Sequence, residues 1–352
     1  MKRIKQIAKC CAIIIIILAV LSAGGIAFLT IREYRPLAVE KLSASREGKK
    51  VAQDEELTVI TYNIGYSALG NTEDFFMDGG TKVRPDNKSV VEENLLGNAN
   101  IMKSNPADIY FLQEVDIDSK RSYYINEMKY LEEALQMPAL FCYNFKCDYV
   151  PYPIPTIGHV EAGLVTLTDL EVNTASRIAL PESFSWPLKV CNLKRALLET
   201  RIPIENTNKE LVLFNLHLEA YDSGEGKIAQ SKMLADILEK EYEKGNYVIA
   251  GGDFNQMFEG YKQYPLLEQG NWMPGIIRKQ DTPDTFSIVT DDSIPTCRLL
   301  NEPYTGTDKD TQVYIIDGFI VSNNIQVQNV NVIPTEFQYS DHQPVKLTFT
   351  FK

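Results

Sequence analysis

Ile249-Ala250-Gly251-Gly252-Asp253-Phe254-Asn255-Gln256 ends an apolar run, Tyr247 to Ala250, with two glycines, a carboxylate and a carboxamide. The run reads as a strand. Glycine at a strand end lets the backbone approach a ligand closely, and Asp253 and Asn255, one on each side of Phe254, point the same way. That is an active-site arrangement in miniature. The same residues also suit a polar turn after a buried strand, because glycine beside Asp or Asn is ordinary turn chemistry. Other strand ends in the chain decide between the two.

The pattern recurs. Leu57 to Tyr62 runs into Asn63; Ile109 to Gln113 runs into Glu114; Leu211 to Leu216 delivers His217; Val313 to Ile316 ends at Asp317; and Asp341-His342 precedes a last strand, Val345 to Phe351. Functional groups at the ends of successive strands are how α/β architectures assemble one site from distant sequence. Taken singly, Glu114 and Asp317 suit a surface strand terminus and His217 a structural histidine. Of only three histidines, however, two sit at such ends. Between the strands, residues 88–104, 122–136 and 227–244 read as helices, the last with Ile228, Leu234, Ile237, Leu238 and Tyr242 on one side and Gly245 as its stop. Residues 66–85 read as a long loop of the kind that carries function or is disordered. Cys142 to Gly163, with Pro151, Pro153 and Pro155, reads as irregular chain lining a rim of the site.

Six short motifs, in order and with comparable gaps, resemble the endonuclease/exonuclease/phosphatase superfamily of metal-dependent phosphoesterases, which includes deoxyribonuclease I. They are Tyr62-Asn63-Ile64-Gly65, Gln113-Glu114-Val115, Asn215-Leu216-His217-Leu218, Gly252-Asp253-Phe254-Asn255, Ile316-Asp317-Gly318-Phe319 and Ser340-Asp341-His342-Gln343-Pro344. The resemblance implies an α/β fold, a four-layer α-β-β-α sandwich of two packed mixed sheets, over residues 56–352. It implies Glu114 as the principal Mg2+ ligand with Asn63 beside it and Asp341 as a second metal ligand, Mn2+ being the substitute ion. A hard cation with oxygen ligands suits a site without thiolates. It further implies that Asp253 orients or deprotonates the attacking water and that Asn255 hydrogen-bonds the phosphoryl oxygens. His342 donates to the phosphate as imidazolium held by Asp317, and His217 stabilises the same oxygens from another side. Carboxylate partners are expected to raise both histidine pKa values. Arg195 either reaches the site or pairs with an acid, and His159 is either a substrate contact or an exposed loop histidine.

Residues 10–31 are uncharged and follow Lys2, Arg3, Lys5 and Lys9. As a helix rising ~1.5 Å per residue they cover roughly 33 Å, enough to cross a bilayer. The basic flank, residues 1–9, is expected in the cytoplasm and the body outside, so the chain is read as a single-pass cell-membrane protein. A secretory signal cut near Ser22-Ala23-Gly24, which would release the body, is the competing reading. Residues 32–55 read as a polar tether. The net charge is −12, and residues 33–352 carry 30 basic residues against 47 acidic ones. Such a body lacks the electrostatic footprint of a protein that grips long nucleic acid, which departs from the nuclease members. Cys142 and Cys147 either pair outside the cell or remain buried thiols.

These readings converge on a membrane-anchored, Mg2+-dependent phosphodiesterase acting on a phosphate ester of a lipid head group, nucleotide or nucleic acid. Nothing in the sequence predicts a protein partner. An extracellular nuclease of the same fold and a binding protein that keeps the fold without catalysis are the alternatives.

Overall fold

The computed structural model describes residues 2–42, 46–267, 272–307 and 310–352. The chain opens with helix α1 (Lys2–Arg32), which is long and apolar enough to cross a membrane and is unburied over its apolar stretch. Thirteen strands then build two sheets: β1 (Val39–Leu42), β2 (Leu57–Asn63), β3 (Ile109–Asp116), β4 (Ala139–Val150), β5 (Gly158–Thr168), β6 (Thr174–Ala179), β7 (Ala196–Pro203), β8 (Glu210–His217), β9 (Tyr247–Asp253), β10 (Phe286–Val289), β11 (Asp317–Ser322), β12 (Ile325–Val332) and β13 (Val345–Phe351). Helices α2 (Lys88–Ser104), α3 (Glu127–Leu135) and α4 (Glu225–Glu243) interrupt them.

One sheet has the order β1-β6-β7-β8-β9-β11-β10, the other β12-β13-β2-β3-β5-β4. Both are mixed: β8 and β9, and β2 and β3, run parallel, and the other neighbours within each sheet are antiparallel. The inward side chains of the two sheets, among them Val59, Phe111, Leu164, Leu198, Leu213, Ile249, Phe319 and Leu347, form a common apolar core. On the outer faces α4 lays Leu234 and Leu238 against Val248 and Ala250, and α2 lays Leu95, Ala99 and Met102 against Ile60 and Tyr110. The result is the expected α-β-β-α sandwich. Strands buried on both faces explain why these runs are nearly all apolar rather than alternating.

A polar bridge crosses the inter-sheet core just below the functional end. Gln113 Nε2 donates to Asn215 Oδ1 at 2.8 Å and to Thr61 Oγ1 at 3.1 Å, and Asn215 Nδ2 donates to the Val165 carbonyl at 2.8 Å. Fully partnered buried amides fix the register of the two sheets.

Three expectations change. The segment from Cys142 to Gly163 is mostly the β4–β5 hairpin, because its three prolines are confined to the turn at 151–157 and leave both ladders intact. Residues read as a polar tether include β1, which pairs along the edge of β6, and bridges from Arg46, Lys49 and Val51 continue the contact. Ile228, placed on the buried side of its helix from sequence, is 70% exposed, whereas Lys227 is buried and donates to the Ala220 carbonyl at 2.7 Å. The described cysteines are thiols. Cys142 and Cys147 lie five positions apart on one strand, roughly 16 Å, too far to be bridged.

Candidate active site

Strand pairing gathers the polar residues. Asp253 ends β9; its parallel neighbour β8 places His217 opposite it, and its antiparallel neighbour β11 places Asp317 there, because an antiparallel strand begins where its partner stops. On the other sheet Asn63 ends β2 opposite Gln113, one residue before Glu114. Glu114 lies where the β3–β5 register shifts between Leu112 and Val115, with φ of 52°. A bulge of this kind re-aims a side chain, and the left-handed backbone of a non-glycine residue costs about 1–3 kcal/mol. Asn255, with φ of 51°, has the same conformation.

The third contribution is the segment before β13. Ser340 Oγ donates to the Asn63 carbonyl at 2.8 Å, and the Arg298 amide donates to the Asp341 carbonyl at 3.0 Å. Gly97 on α2 makes room for the Tyr339 ring, into which a Cβ would run. The face of α2 that carries Gly97 and Asn98, whose Nδ2 donates to the Tyr339 carbonyl at 3.5 Å, thus accepts an aromatic that positions the next three residues.

Together these elements converge. Asn63 Nδ2 donates to Glu114 Oε1 at 3.2 Å and to Asp253 Oδ2 at 3.0 Å, and lies 3.5 Å from His342 Nε2. His342 Nδ1 is 2.9 Å from Asp317 Oδ2, and its Nε2 is 3.6 Å from Asp253 Oδ2 and 3.9 Å from Asp341 Oδ2. His217 Nε2 is 3.4 Å from Asp253 Oδ2 and 3.9 Å from Glu114 Oε1. Asn255 is tied to the group by its amide, which donates to Asp253 Oδ1 at 2.8 Å, while its Nδ2 donates to the Leu218 carbonyl at 3.0 Å. Eight of the ten residues singled out from sequence therefore lie in one cluster.

The two histidines differ in charge. Burial opposes a charge on His342, but the carboxylates of Asp317, Asp253 and Asp341 overcome it and hold the imidazole well above its ordinary 6.5. His217 goes the other way: burial first, then the cations of Arg195 and His342, push it well below 6.5. The expectation that both are charged thus holds for His342 and not for His217. Burial raises Asp253 to about 6, against the pull of His342, and Asp341 to about 7, with Glu114 adding repulsion.

The oxygen atoms of this cluster suit a hard divalent cation. Glu114 keeps 24% of its side chain open to solvent, and Asp341 stands near enough to be repelled by it. Two tighter all-buried groups, Asp253-Asp317-His342 and Cys297-Asp341-His342, fit less well. Both depend on His342, whose Nδ1 is committed to Asp317, and burial pushes the Cys297 thiol up to about 12. Glu114 and Asp341 offer the more suitable oxygens, whereas Asn63, expected as a ligand beside Glu114, turns its amide nitrogen to Glu114 and its Oδ1 to the Gly65 amide.

The remaining two sequence candidates lie apart. Arg195 is buried behind His217, donating to its carbonyl at 3.3 Å and facing Glu219 at 3.8 Å, so it pairs with an acid and supports the strand end. His159 is on β5, 3.5 Å from Asp118. Sequence reasoning singled out no residue of the 66–85 loop, yet Asp78 is buried beside the site and accepts from Tyr221 Oη at 2.9 Å and from the Leu300 amide at 3.2 Å. Glu114 repels the charged forms of both Asp78 and Tyr221. The one signal for Asp78 was the length of that loop, and Tyr221, which lies between β8 and α4, had none.

No family model matches the sequence, and no curated protein matches it. Solved structures do match. An endonuclease/exonuclease/phosphatase protein from Beutenbergia cavernae superposes with a TM-score of 0.61 at 16% identity, covering 84% of this chain and 72% of that one. D. rerio TDP2 complexed with a single-strand DNA product gives 0.51 at 15% identity, over 84% and 100% of the two chains. The human Nocturnin catalytic domain with bound sulfate gives 0.51 at 15% identity, over 87% and 97%. The chain shares the endonuclease/exonuclease/phosphatase fold, as its six motifs led one to expect.

Proposed function

We propose that this chain is a membrane-anchored, divalent-metal-dependent phosphodiesterase. The observation that carries the reading is the meeting of Asn63 and Glu114 from one sheet with Asp253 and His217 from the other and with His342, at separations of 3.0–3.9 Å. Such a set supplies positioning and charge neutralisation, which phosphoryl transfer needs more than covalent help. Glu114 and Asp341 would hold a magnesium or manganese ion, with the Asn63 amide orienting Glu114, and the ion when bound would polarise the phosphoryl oxygens.

The chain's own residues divide the rest. Asp253, raised to about 6 and still ionised at neutral pH, accepts a proton from the attacking water. His342, kept charged by Asp317, donates to the phosphoryl oxygen where negative charge builds. Neutral His217 points Nε2 at the carboxylates and, with that proton, donates to the same oxygens; Asn255 braces Asp253. The water oxygen bonds to phosphorus, one ester P–O bond breaks, and the products are a phosphomonoester and an alcohol that leaves with a proton.

The anchor reading is supported by α1, whose apolar stretch covers a bilayer's thickness, with a basic flank that favours the body outside the cell. TDP2 bound to a DNA product favours the nuclease alternative, and the acidic body weighs against it. The test is hydrolysis of a panel containing a soluble phosphodiester, single-stranded and duplex DNA, nucleotides, sphingomyelin and phosphoinositides, with Mg2+ or with EDTA. Mg2+-dependent hydrolysis that Glu114→Ala abolishes is expected. Full activity of Glu114→Ala, or activity indifferent to EDTA, overturns the reading.

A further inference from the structure

The direction of each strand shows which end of the sandwich the chain enters. β1 starts at Val39 opposite Ile178, near the end of β6; β6 ends at Ala179 opposite Ala196, the start of β7; and Leu197 pairs with Leu216, next to His217. Residues 33–38, which follow α1, are therefore at the catalytic end. Contacts fix this placement. Thr30 Oγ1 accepts from the Trp186 indole at 3.1 Å, Arg32 Nε is 2.6 Å from Asp148 Oδ2, and Glu33 and Lys194 form a buried ion pair at 2.8 Å.

Two loops rise at that same end and carry exposed apolar tips. The β4–β5 hairpin turns at 151–157, beyond the level of Glu114: Val150 pairs with Gly158, whereas Asp116 of β3 pairs with Ala162, four positions short of it. Ile154 at its tip is 95% exposed, and Tyr152 beside it is exposed as well. The loop between β6 and β7 carries Trp186, 58% exposed, and Leu188, 67% exposed. Tyr152 stacks edge-on against Phe76 at 5.6 Å, and next come the exposed Met77 and the buried Asp78, which is near enough to Glu114 to be repelled by it. The Cys191 thiol, at the end of the second loop, donates to the Tyr149 carbonyl at 3.7 Å and joins the two loops, so exposed apolar side chains stand from the outer end of α1 to the mouth of the cluster. Trp and Tyr, with apolar bodies and polar tips, are the residues that settle at a membrane–water interface.

We infer that the catalytic end of the sandwich rests on the outer leaflet, with Trp186, Leu188, Tyr152, Ile154 and Met77 entering the interfacial layer, so that the phosphodiester presented to the site is a lipid head group. The inference rests on the anchor and phosphodiesterase readings and names their substrate class. The body's 47 acidic against 30 basic residues disfavour an anionic surface. Docking is therefore apolar, and the favoured head group is zwitterionic, of phosphocholine or phosphoethanolamine chemistry.

Two measurements on the full chain in phosphatidylcholine nanodiscs test it. The chain has two tryptophans, and Trp272 is buried, so the difference between wild type and Trp186→Phe isolates the Trp186 emission. Phosphatidylcholine brominated near the head group should quench that emission by about half, and bromines near the chain ends should quench it less, as for a side chain at the interface. No quenching by either lipid overturns the docking. The second measurement uses Ile154→Asp combined with Leu188→Asp, which touches no residue of the cluster. Hydrolysis of soluble bis(p-nitrophenyl) phosphate should be unchanged, while hydrolysis of the nanodisc lipid should fall by roughly tenfold or more. Equal effects on the two substrates, or hydrolysis of the soluble ester without any of the lipid, overturn the substrate assignment. Wild type that hydrolyses neither overturns the phosphodiesterase reading instead, and the quenching still decides the docking.

Discussion

Asn63 donates to Asp253 at 3.0 Å although the two are 190 positions apart and end strands of different sheets. The same amide nitrogen reaches Glu114, and Asn63 Oδ1 accepts from the Gly65 amide at 3.0 Å. Asn63 thus ties the carboxylate assigned to the metal to the carboxylate assigned to the water. Asn63→Ala should lower kcat/KM on a soluble phosphodiester by about 10²–10³-fold, the range for loss of one preorganised donor. It should also leave the Gly65 amide buried without its acceptor, costing about 1–3 kcal/mol in a denaturant melt. A variant that loses stability and keeps its rate would confine Asn63 to a structural role.

His342 owes its charge to Asp317, whose Oδ2 accepts from Nδ1 at 2.9 Å. Asp317→Asn keeps the shape and removes the counterion. The rate should drop by about 10⁴-fold, as when the carboxylate orienting a catalytic histidine is neutralised. A readout independent of rate is the His342 imidazole followed by nitrogen NMR. Wild type should stay protonated through neutral pH, and the variant should titrate at or below the ordinary histidine range. Identical titrations would remove Asp317 from this role.

How much of this was written in the sequence depends on the kind of information. The strand ends at Asn63, His217 and Asp253 were legible because apolar runs mark buried strands and the polar residue breaks the run; Glu114 instead lies inside β3, Asp317 begins β11 rather than ending a strand, and Asp341-His342 precede β13, so topology does the rest of the gathering. The charges of the two histidines were not legible. Both have carboxylate neighbours, and what separates them is Arg195 behind His217 and the number of acids around His342, which only packing reveals. The re-aiming of Glu114 was hidden too, since a bulge with φ of 52° at a glutamate has no composition signal. Three prolines within 151–155 masked the β4–β5 hairpin, because a window that includes the turn averages it with the two ladders. The edge strand β1 is short and polar, so its pairing comes from β6 rather than from its own pattern.

Gly252 is a sharp test of the parallel β8–β9 pairing. It has φ of 153°, and a Cβ placed there would collide with the Leu216 carbonyl, which is backbone and cannot swing aside. Gly252→Ala should therefore destabilise the chain by more than ~3 kcal/mol, well above the ordinary cost of a point substitution. It should also lower activity, since Leu216 and Asp253 flank the contact. A urea midpoint within error of wild type would mean that β8 and β9 are not in this register.

Stability without metal should fall as pH rises, and Mg2+ should abolish the fall. Asp253 and Asp341 are raised from an ordinary 3.8 to about 6 and about 7, so between those limits the folded chain binds more protons than the unfolded one. Stability then declines with rising pH, and the deficit is complete above about pH 7. His342, raised above 6.5, contributes stability that is full below 6.5 and is lost as pH climbs through its folded value, which has the same sign. His217, lowered, opposes them: its penalty is felt below 6.5 and vanishes above it. Above 6.5 His217 no longer opposes the decline from Asp341 and His342, so the melting temperature in EDTA should drop between about pH 6.5 and pH 8. A cation bound by Glu114 and Asp341 favours the ionised carboxylates, so its affinity should rise up to tenfold per pH unit below about pH 7 for each proton displaced. Scanning calorimetry across that range, with EDTA and with Mg2+, reads both effects. A melting temperature in EDTA that rises with pH, or a Mg2+ affinity indifferent to pH, would contradict the assignment of Asp341 as a buried ligand that must give up a proton.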